Sequence, residues 1–205
     1  MAIKSKKPAR KQTVGAQYLC FANAAETGDY DGTYETDVEK TEVVKNVKVT
    51  ENSDANDSYA SGKVYDSDTP TTSIDIEVEV IAFPDDTISR MRGDTVGESG
   101  LILSGGNSER PFFGYGKVVM LKNGKCRYEW YPKCKLTENS DDIATSEEKS
   151  SEQTDTIKIR AYPFDAAGNI LSKVTESTAP EGLTEEKFFA KPILTEADLT
   201  EAVGK

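Results

Sequence analysis

The sequence contains no histidine, the side chain that most often serves as a general base and as a metal ligand. A Ser-His or Cys-His nucleophile pair is therefore excluded. Cysteine is scarce as well: Cys20, Cys126 and Cys134 form no C-x-x-C pair, and an odd number makes a poor disulfide framework. We interpret them as core thiols in a reducing cytosol. These absences disfavour an enzyme, and we expect no catalytic residue, no metal and no cofactor.

Long apolar runs are also missing. No segment approaches the length needed to span a bilayer, and no apolar stretch follows the basic start at residues 4–11, so we expect neither a membrane segment nor a signal peptide. Basic residues are in the minority, with 25 Lys and Arg against 36 Asp and Glu, for a formal net charge of −11. A chain of that charge is poorly suited to gripping nucleic acid through its phosphates.

The most informative feature present is a repeat. The five residues TENSD occur at Thr50–Asp54 and again at Thr137–Asp141. An alternating charged run precedes each copy, and a polar loop after each leads to a second alternating run, Ser73–Val80 and Thr156–Ala161. The same order of features, met twice, indicates a duplicated half-domain. A chance match of five residues is the alternative.

Alternation of apolar and polar residues predicts about eight strands, of which Ile74–Ile81 is the clearest. Asn123-Gly124 stands between two strand-like runs and predicts a tight hairpin turn. On the return strand, Cys126–Leu136, the alternation places Tyr128 and Trp130 on the same face as Cys134 and Leu136. We predict a mainly β fold, an antiparallel β-sandwich or barrel with one short flanking α-helix and an internal half-domain repeat.

The helix is expected between Pro84, which suits a first turn, and Gly93, which suits an end. A further short helix is possible at Glu196–Val203. We divide the chain into a basic N-terminal arm at residues 1–13, a β-sandwich domain at 14–182 and a C-terminal extension at 183–205.

The two segments that begin within the TENSD copies, Glu51–Thr72 and Thr137–Asp155, are predicted to be long polar loops. Loops of that length in a compact domain tend to be functional. We expect them to contact other subunits. The candidate residues are Asp54, Asp57, Tyr59, Asp66, Asp141, Asp142, Glu147 and Glu148.

The polar faces of the repeated strands differ in charge sign. Candidate subunit-interface or lumen residues are the acidic Asp75, Glu77 and Glu79 and the basic Lys48, Lys133, Lys135, Lys158 and Arg160. An ordinary exposed sheet face is one interpretation. The other is that halves of opposite sign meet, either within one chain or between neighbouring copies, because opposite charges on facing strands help to fix which edges pair.

The segment from about Val47 to Pro192 resembles the major tail proteins, or tail-tube proteins, of long-tailed phages that infect Gram-positive bacteria. The resemblance lies in Arg110–Gly116, the Asn123-Gly124 hairpin, the aromatic strand that follows it and Pro132–Leu136. The Tyr59–Asp68 loop and Gln153-Thr154 are similar as well.

This resemblance implies a β-sandwich with a flanking helix and no catalytic residues. Six copies would form a ring, and rings would stack into a tube, with the two long polar loops and their candidate residues as the ring-stacking contacts. Phage DNA would pass through the bore without specific binding during ejection. It also implies tail terminator, tape measure and baseplate proteins as partners, and a place in the virion tail after synthesis in the host cytoplasm. The alternative is a monomeric surface or carbohydrate-binding β-sandwich module.

Overall fold

The computed structural model describes residues 7–23, 29–106, 109–141 and 154–204, and within these ranges it has twelve strands and three short helices. The strands are β1 (Lys11–Phe21), β2 (Glu39–Thr41), β3 (Val44–Ser53), β4 (Asn56–Ala60), β5 (Lys63–Asp68), β6 (Thr71–Val80), β7 (Thr95–Val96), β8 (Ile102–Leu103), β9 (Phe113–Leu121), β10 (Cys126–Asp141), β11 (Asp155–Ala161) and β12 (Ser172–Thr175). The helices are α1 (Asp85–Arg92), α2 (Glu185–Phe189) and α3 (Glu196–Val203).

The main sheet runs in the order β2-β1-β9-β10-β11-β6-β3, with β12 also paired to β10 and every neighbouring pair antiparallel. The predicted mainly β, antiparallel fold is confirmed. The predicted helix is α1, which follows Pro84 and ends at Gly93 in the left-handed conformation. None of the helices in the described ranges is long and apolar enough to cross a membrane.

Strand β10 links two layers of this sheet. Its first half lies between β9 and β12, whereas its second half pairs with β11. The register between β10 and β9 shifts between Tyr131 and Cys134, which marks a bulge that bends the strand. The first layer is β2, β1, β9 and the first half of β10; the second layer is the second half of β10, β11, β6 and β3.

The bulge overturns one sequence expectation about β10. Tyr128 and Trp130 do not share a face with Cys134 and Leu136, because the extra residue at the bulge reverses the alternation. Cys134 and Leu136 lie in the inner core, between the two layers, together with Ile76 and other apolar side chains of both layers. Tyr128 and Trp130 belong to an outer core on the opposite face.

The outer core is covered by the C-terminal segment. Phe188, Phe189 and Ile193 are buried against Tyr18 and Trp130 of the first layer. The Phe189 and Tyr18 rings stack with centroids 3.9 Å apart, and Trp130 Nε1 donates a hydrogen bond of 3.1 Å to the Phe188 carbonyl. The predicted helix at Glu196–Val203 is α3, and α2 was not predicted.

The repeat corresponds to two hairpin-like pairs, β3 with β6 and β10 with β11, joined in the middle by β6 and β11. The predicted loops are shorter than expected. In the first segment β3 continues to Ser53 and a second hairpin, β4–β5, projects from the sheet. In the second segment β10 continues to Asp141. TENSD therefore ends a strand rather than starting a loop.

Candidate assembly surface

Strands β6, β11 and the second half of β10 bury one side and expose the other, and β3 is partly buried on the same side through Val44 and Val47. Ile76 and Val78 of β6 and Ile157 and Ile159 of β11 are fully buried, while the residues between them point outward. We call this outward side the charged face. Its charged residues are Lys48, Asp75, Glu77, Glu79, Lys135, Glu138, Lys158 and Arg160. It therefore holds seven of the eight residues that the sequence proposed for an interface or lumen.

The acidic and basic halves meet within one chain, because β6 and β11 are neighbours. Arg160 lies opposite Asp75, and its Nε and Nη2 donate to the two carboxylate oxygens at 2.6 and 3.2 Å. Lys158 lies opposite Glu77 and donates to Glu138 Oε2 at 2.8 Å. Of the two arrangements that the sequence left open, the structure contains the intrachain one.

The contacts of Asp75 favour its ionised form. The hydrogen bond from Arg160 holds the pKa of the Asp75 carboxyl below its ordinary value, with a second hydrogen bond from Asn52 in support. A shallow groove across the four strands is lined by three cations and three anions, so its formal charge is zero. They are Lys48, Lys158, Arg160, Asp75, Glu77 and Glu138. In the described ranges no group of three or more Cys, Asp or Glu side chains is arranged to hold a metal ion.

One row of the charged face alternates in sign across all four strands. Glu138 of β10 lies opposite Lys158 of β11, Lys158 lies opposite Glu77 of β6, and Glu77 lies opposite Lys48 of β3. The row thus starts with an anion on β10 and ends with a cation on β3. Lys48 makes no ion pair with any other described residue.

The strands at the two borders of this layer have one paired neighbour each in the described chain. β3 pairs with β6 alone, and β10 beyond Cys134 pairs with β11 alone. β1 approaches β3 across a cavity lined by Val14, Val47 and Val49 without pairing to it. On β10, Arg110 Nη1 donates to the carbonyls of Leu136 at 2.7 Å and Thr137 at 3.0 Å.

Lys133 lies at the margin of the charged face, at the bulge of β10. Its Nζ is 5.1 Å from the Tyr30 ring centroid and 5.3 Å from that of Phe112. Lys135 Nζ is 4.1 Å from the same Phe112 ring and 3.4 Å from Glu109 Oε1. These two lysines are therefore engaged with the segment that leads into β9, whereas Lys158 and Arg160 engage acidic side chains of the repeat.

Of the five residues proposed for ring stacking that the structure describes, four lie on strands, which corrects their assignment to loops. Asp57 and Tyr59 are on β4 and Asp66 is on β5, with Asp54 just before the hairpin. Asp141 is the last residue of β10, exposed and opposite Asp155. Asp142, Glu147 and Glu148 lie outside the described residues.

The β4–β5 hairpin is an exposed arm. Its strands pair only with each other in the described chain, and its turn is Ser61-Gly62 with φ of 53° and 74°. Tyr59 is 70% exposed and Tyr65 is 81% exposed. Sequence reasoning missed Tyr65. Its signal was the Ser-Gly pair between two short polar segments that each carry a tyrosine, since Gly favours such turns.

A second small hairpin, β7–β8, also exposes apolar side chains. Val96, Leu101 and Leu103 are each about 60% exposed. The sequence analysis did not single out these residues. Large apolar side chains gathered on one projection are typical of a surface that another molecule covers.

Comparison with known proteins adds little to this geometry. No family model and no curated protein matches the chain. Among solved structures, the chain is similar to one in the cryo-EM structure of the anti-feeding prophage baseplate, 6-fold symmetrised, with a TM-score of 0.40 and 6% sequence identity. The match covers 84% of this chain and 97% of the other. At that level of similarity neither the fold nor the role of the baseplate chain transfers to this one.

Proposed function

We propose that the chain is a structural, non-enzymatic subunit of a phage tail tube, in which six copies form a ring, rings stack and the bore conducts DNA during ejection. The observation that carries the proposal is the second layer. Its four antiparallel strands pack apolar side chains on one side and carry charges on the other, and its border strands each have a single paired neighbour in the described chain. The resemblance of Arg110–Leu136 to tail-tube proteins supports the same conclusion.

Strand direction favours a closed ring of such layers. Neighbouring strands from β10 to β3 alternate in direction, and their number is even. When β3 of one copy meets β10 of the next, the new pair is therefore antiparallel, like every other pair in the layer. A repeated head-to-tail contact of this kind generates a ring when its rotation closes.

The dimensions of such a ring suit a duplex. Four strands from each of six copies make 24 strands, which at about 4.8 Å spacing and about 40° tilt give a circumference of about 150 Å. The backbone diameter is then about 48 Å. Side chains reduce the bore to about 35–40 Å, which admits a duplex of about 20 Å without gripping it.

The balance of charges on the proposed bore surface fits passage rather than binding. Asp75 and Arg160 neutralise each other, as do Lys158 and Glu138. DNA binding draws its affinity from cations that displace counterions from phosphates. Three of the four cations on this face are paired, and Lys48 alone makes no ion pair in the described chain. The face therefore offers little of that gain, so DNA can slide past.

Light scattering and electron microscopy of the purified full chain test this proposal. We expect a concentration-dependent shift from monomer to rings with six-fold symmetry, and tubes at higher concentration. A protein that stays monomeric at every accessible concentration, with no rings in negative stain, would overturn it.

A monomeric carbohydrate-binding module is the second candidate, favoured by the two exposed tyrosines of the β4–β5 hairpin. Exposed aromatic side chains pack against sugar rings in a manner that needs no second subunit. A glycan array probed with the monomer separates the two functions. Binding that is lost in Tyr59→Ala and Tyr65→Ala, without any assembly, would favour the module.

A further inference from the structure

We propose that the ring junction is formed by strand addition, with β3 of one copy pairing antiparallel to the second half of β10 of the next and Lys48 standing opposite Glu138 of that copy. This inference deepens the proposed tail-tube function and rests on it. The inference names the two strands that meet and the residues that stand opposite each other. A ring of six copies does not by itself determine either.

The alternating row selects this register. Within one chain the row reads Glu138, Lys158, Glu77, Lys48, so its two ends carry opposite charges. Placing Lys48 beside Glu138 of a second copy continues the alternation without a break. Directly opposite charges on neighbouring strands are favourable and like charges are unfavourable.

The exposure of residues on β3, at one end of the row, supports the same junction. Lys48 is exposed and makes no ion pair within the described chain, so its charge is available to a neighbour. On the apolar side of the same strand Val49 is 37% exposed, because β1 faces it across a cavity without pairing to β3. An added strand would cover Val49 and engage Lys48 together.

Arg110 explains how the other border stays closed in a single copy. Its guanidinium donates to the carbonyls of Leu136 and Thr137, beside Glu138, where the incoming strand would pair. Edge strands with open acceptors pair indiscriminately, and a charged side chain on the edge suppresses that. We infer that β3 of the next copy displaces Arg110 as the junction forms.

Charge reversal in separate chains tests the junction. Lys48→Glu would place a second carboxylate beside Glu138 of the next copy, and Glu138→Lys would place a second ammonium group beside Lys48. Each variant alone is expected to need at least about tenfold more protein to form rings, because the unfavourable pair recurs at every junction. An equimolar mixture is expected to recover rings, since alternating copies bring opposite charges together at both kinds of junction.

Matched controls are Lys125→Glu, in the β9–β10 turn, and Glu98→Lys, in the β7–β8 turn, which make the same charge changes on exposed residues elsewhere. Both are expected to assemble as the unmodified chain does. Thermal unfolding of each single variant establishes that it is folded. Folded single variants that form rings normally, or a mixture that stays defective, would overturn the junction. Failure of the unmodified chain to form rings would instead overturn the proposed function.

Discussion

Gly116, on β9, is a residue at which even one methyl group has no room. A Cβ there would lie 2.8 Å from Phe189 Cε1, closer than Cβ contacts occur in proteins, and 3.0 Å from Trp130 Cε3, which is tighter than most such contacts. Both rings are buried in the outer core, where Phe189 stacks on Tyr18 and packs at an angle against Trp130, so neither can move away alone. The glycine thus allows the C-terminal segment to press its aromatic rings against the sheet.

Replacing Gly116 by Ala should therefore lower the free energy of unfolding by about 1–3 kcal/mol, the usual cost of overpacking a core. Urea denaturation followed by the fluorescence of Trp130, the single tryptophan, measures it. Gly106→Ala is the control, because nothing lies within 4 Å of its Cβ position and its φ is not positive. Equal effects at the two positions would contradict the steric explanation.

Glu129 is a buried carboxylate held between two cations. Its Oε2 lies 2.7 Å from Lys117 Nζ, and its Oε1 lies 2.6 Å from Arg127 Nε. The Arg127 contact lacks hydrogen-bond geometry, so it contributes charge rather than a directed bond. Burial alone would raise the pKa of Glu129, but the two cations and the Tyr131 hydroxyl outweigh it and the pKa is lowered.

A lowered pKa gives a definite pH dependence. The stabilisation from Glu129 is complete above the ordinary glutamate pKa of 4.5 and is lost as the pH falls through the lower folded value. At neutral pH, Glu129→Gln should cost about 3–5 kcal/mol, because it leaves the buried Lys117 ammonium group without its anionic partner. The difference between the two proteins should shrink as acid protonates Glu129. Unfolding curves across the acid range measure it, and a constant difference would contradict the assignment.

At the scale of elements, the sequence predicted the helix, turn and strands whose formation depends on neighbouring residues. The helix between Pro84 and Gly93 formed as expected, and the turn at Asn123-Gly124 joins β9 to β10 with Gly124 at a φ of 74°. The charge pattern of Ser73–Val80 and Thr156–Ala161 likewise placed their charged residues on one face. In each case a few adjacent residues decide the outcome.

The elements that were missed depend on contacts distant in sequence. The bulge of β10 lies next to Pro132, where the pairing partner of the strand changes from β9 to β11. The alternation of residues within the strand does not predict it. Helix α2 is only five residues long and is fixed by Phe188 and Phe189 entering the outer core. The roles proposed for the charged face and for the hairpin remain predictions, since the fold alone does not test them.

The β4–β5 hairpin should be separable from the rest of the fold. Because its strands pair only with each other within the described chain, deleting residues 55–66 removes no core side chain. We expect the deletion to leave the unfolding temperature nearly unchanged and to abolish tubes, while single rings persist. Electron microscopy of the deleted chain measures this, and tubes of normal length would show that the hairpin does not stack rings.

At the scale of the whole assembly, the proposed junction makes ring formation sensitive to salt. Raising the ionic strength from about 0.1 M to about 1 M shortens the screening length from about 10 Å to about 3 Å. Screening should weaken the attraction between Lys48 and Glu138 of the next copy, so the unmodified chain should require several-fold more protein to form rings.

The Lys48→Glu variant supplies the matched comparison, because in that variant salt screens the repulsion between the new carboxylate and Glu138 of the next copy. Its rings should form more readily at high salt, opposite in direction to the unmodified chain. Sedimentation velocity at the two salt concentrations measures both responses. Responses of the same sign in the two proteins would indicate that apolar contacts, rather than this charge pair, govern assembly.

Because the second layer has an even number of strands, the proposed tube can change in width only by fixed steps. A single strand cannot be added or removed without placing parallel neighbours at one junction, so the ring grows or shrinks only by whole copies. Each copy contributes about 25 Å of circumference, or about 8 Å of diameter, at about 4.8 Å spacing and about 40° tilt. Adding or removing one copy would change the bore diameter by nearly half the width of a duplex. Few ring sizes would therefore give a bore only slightly wider than DNA.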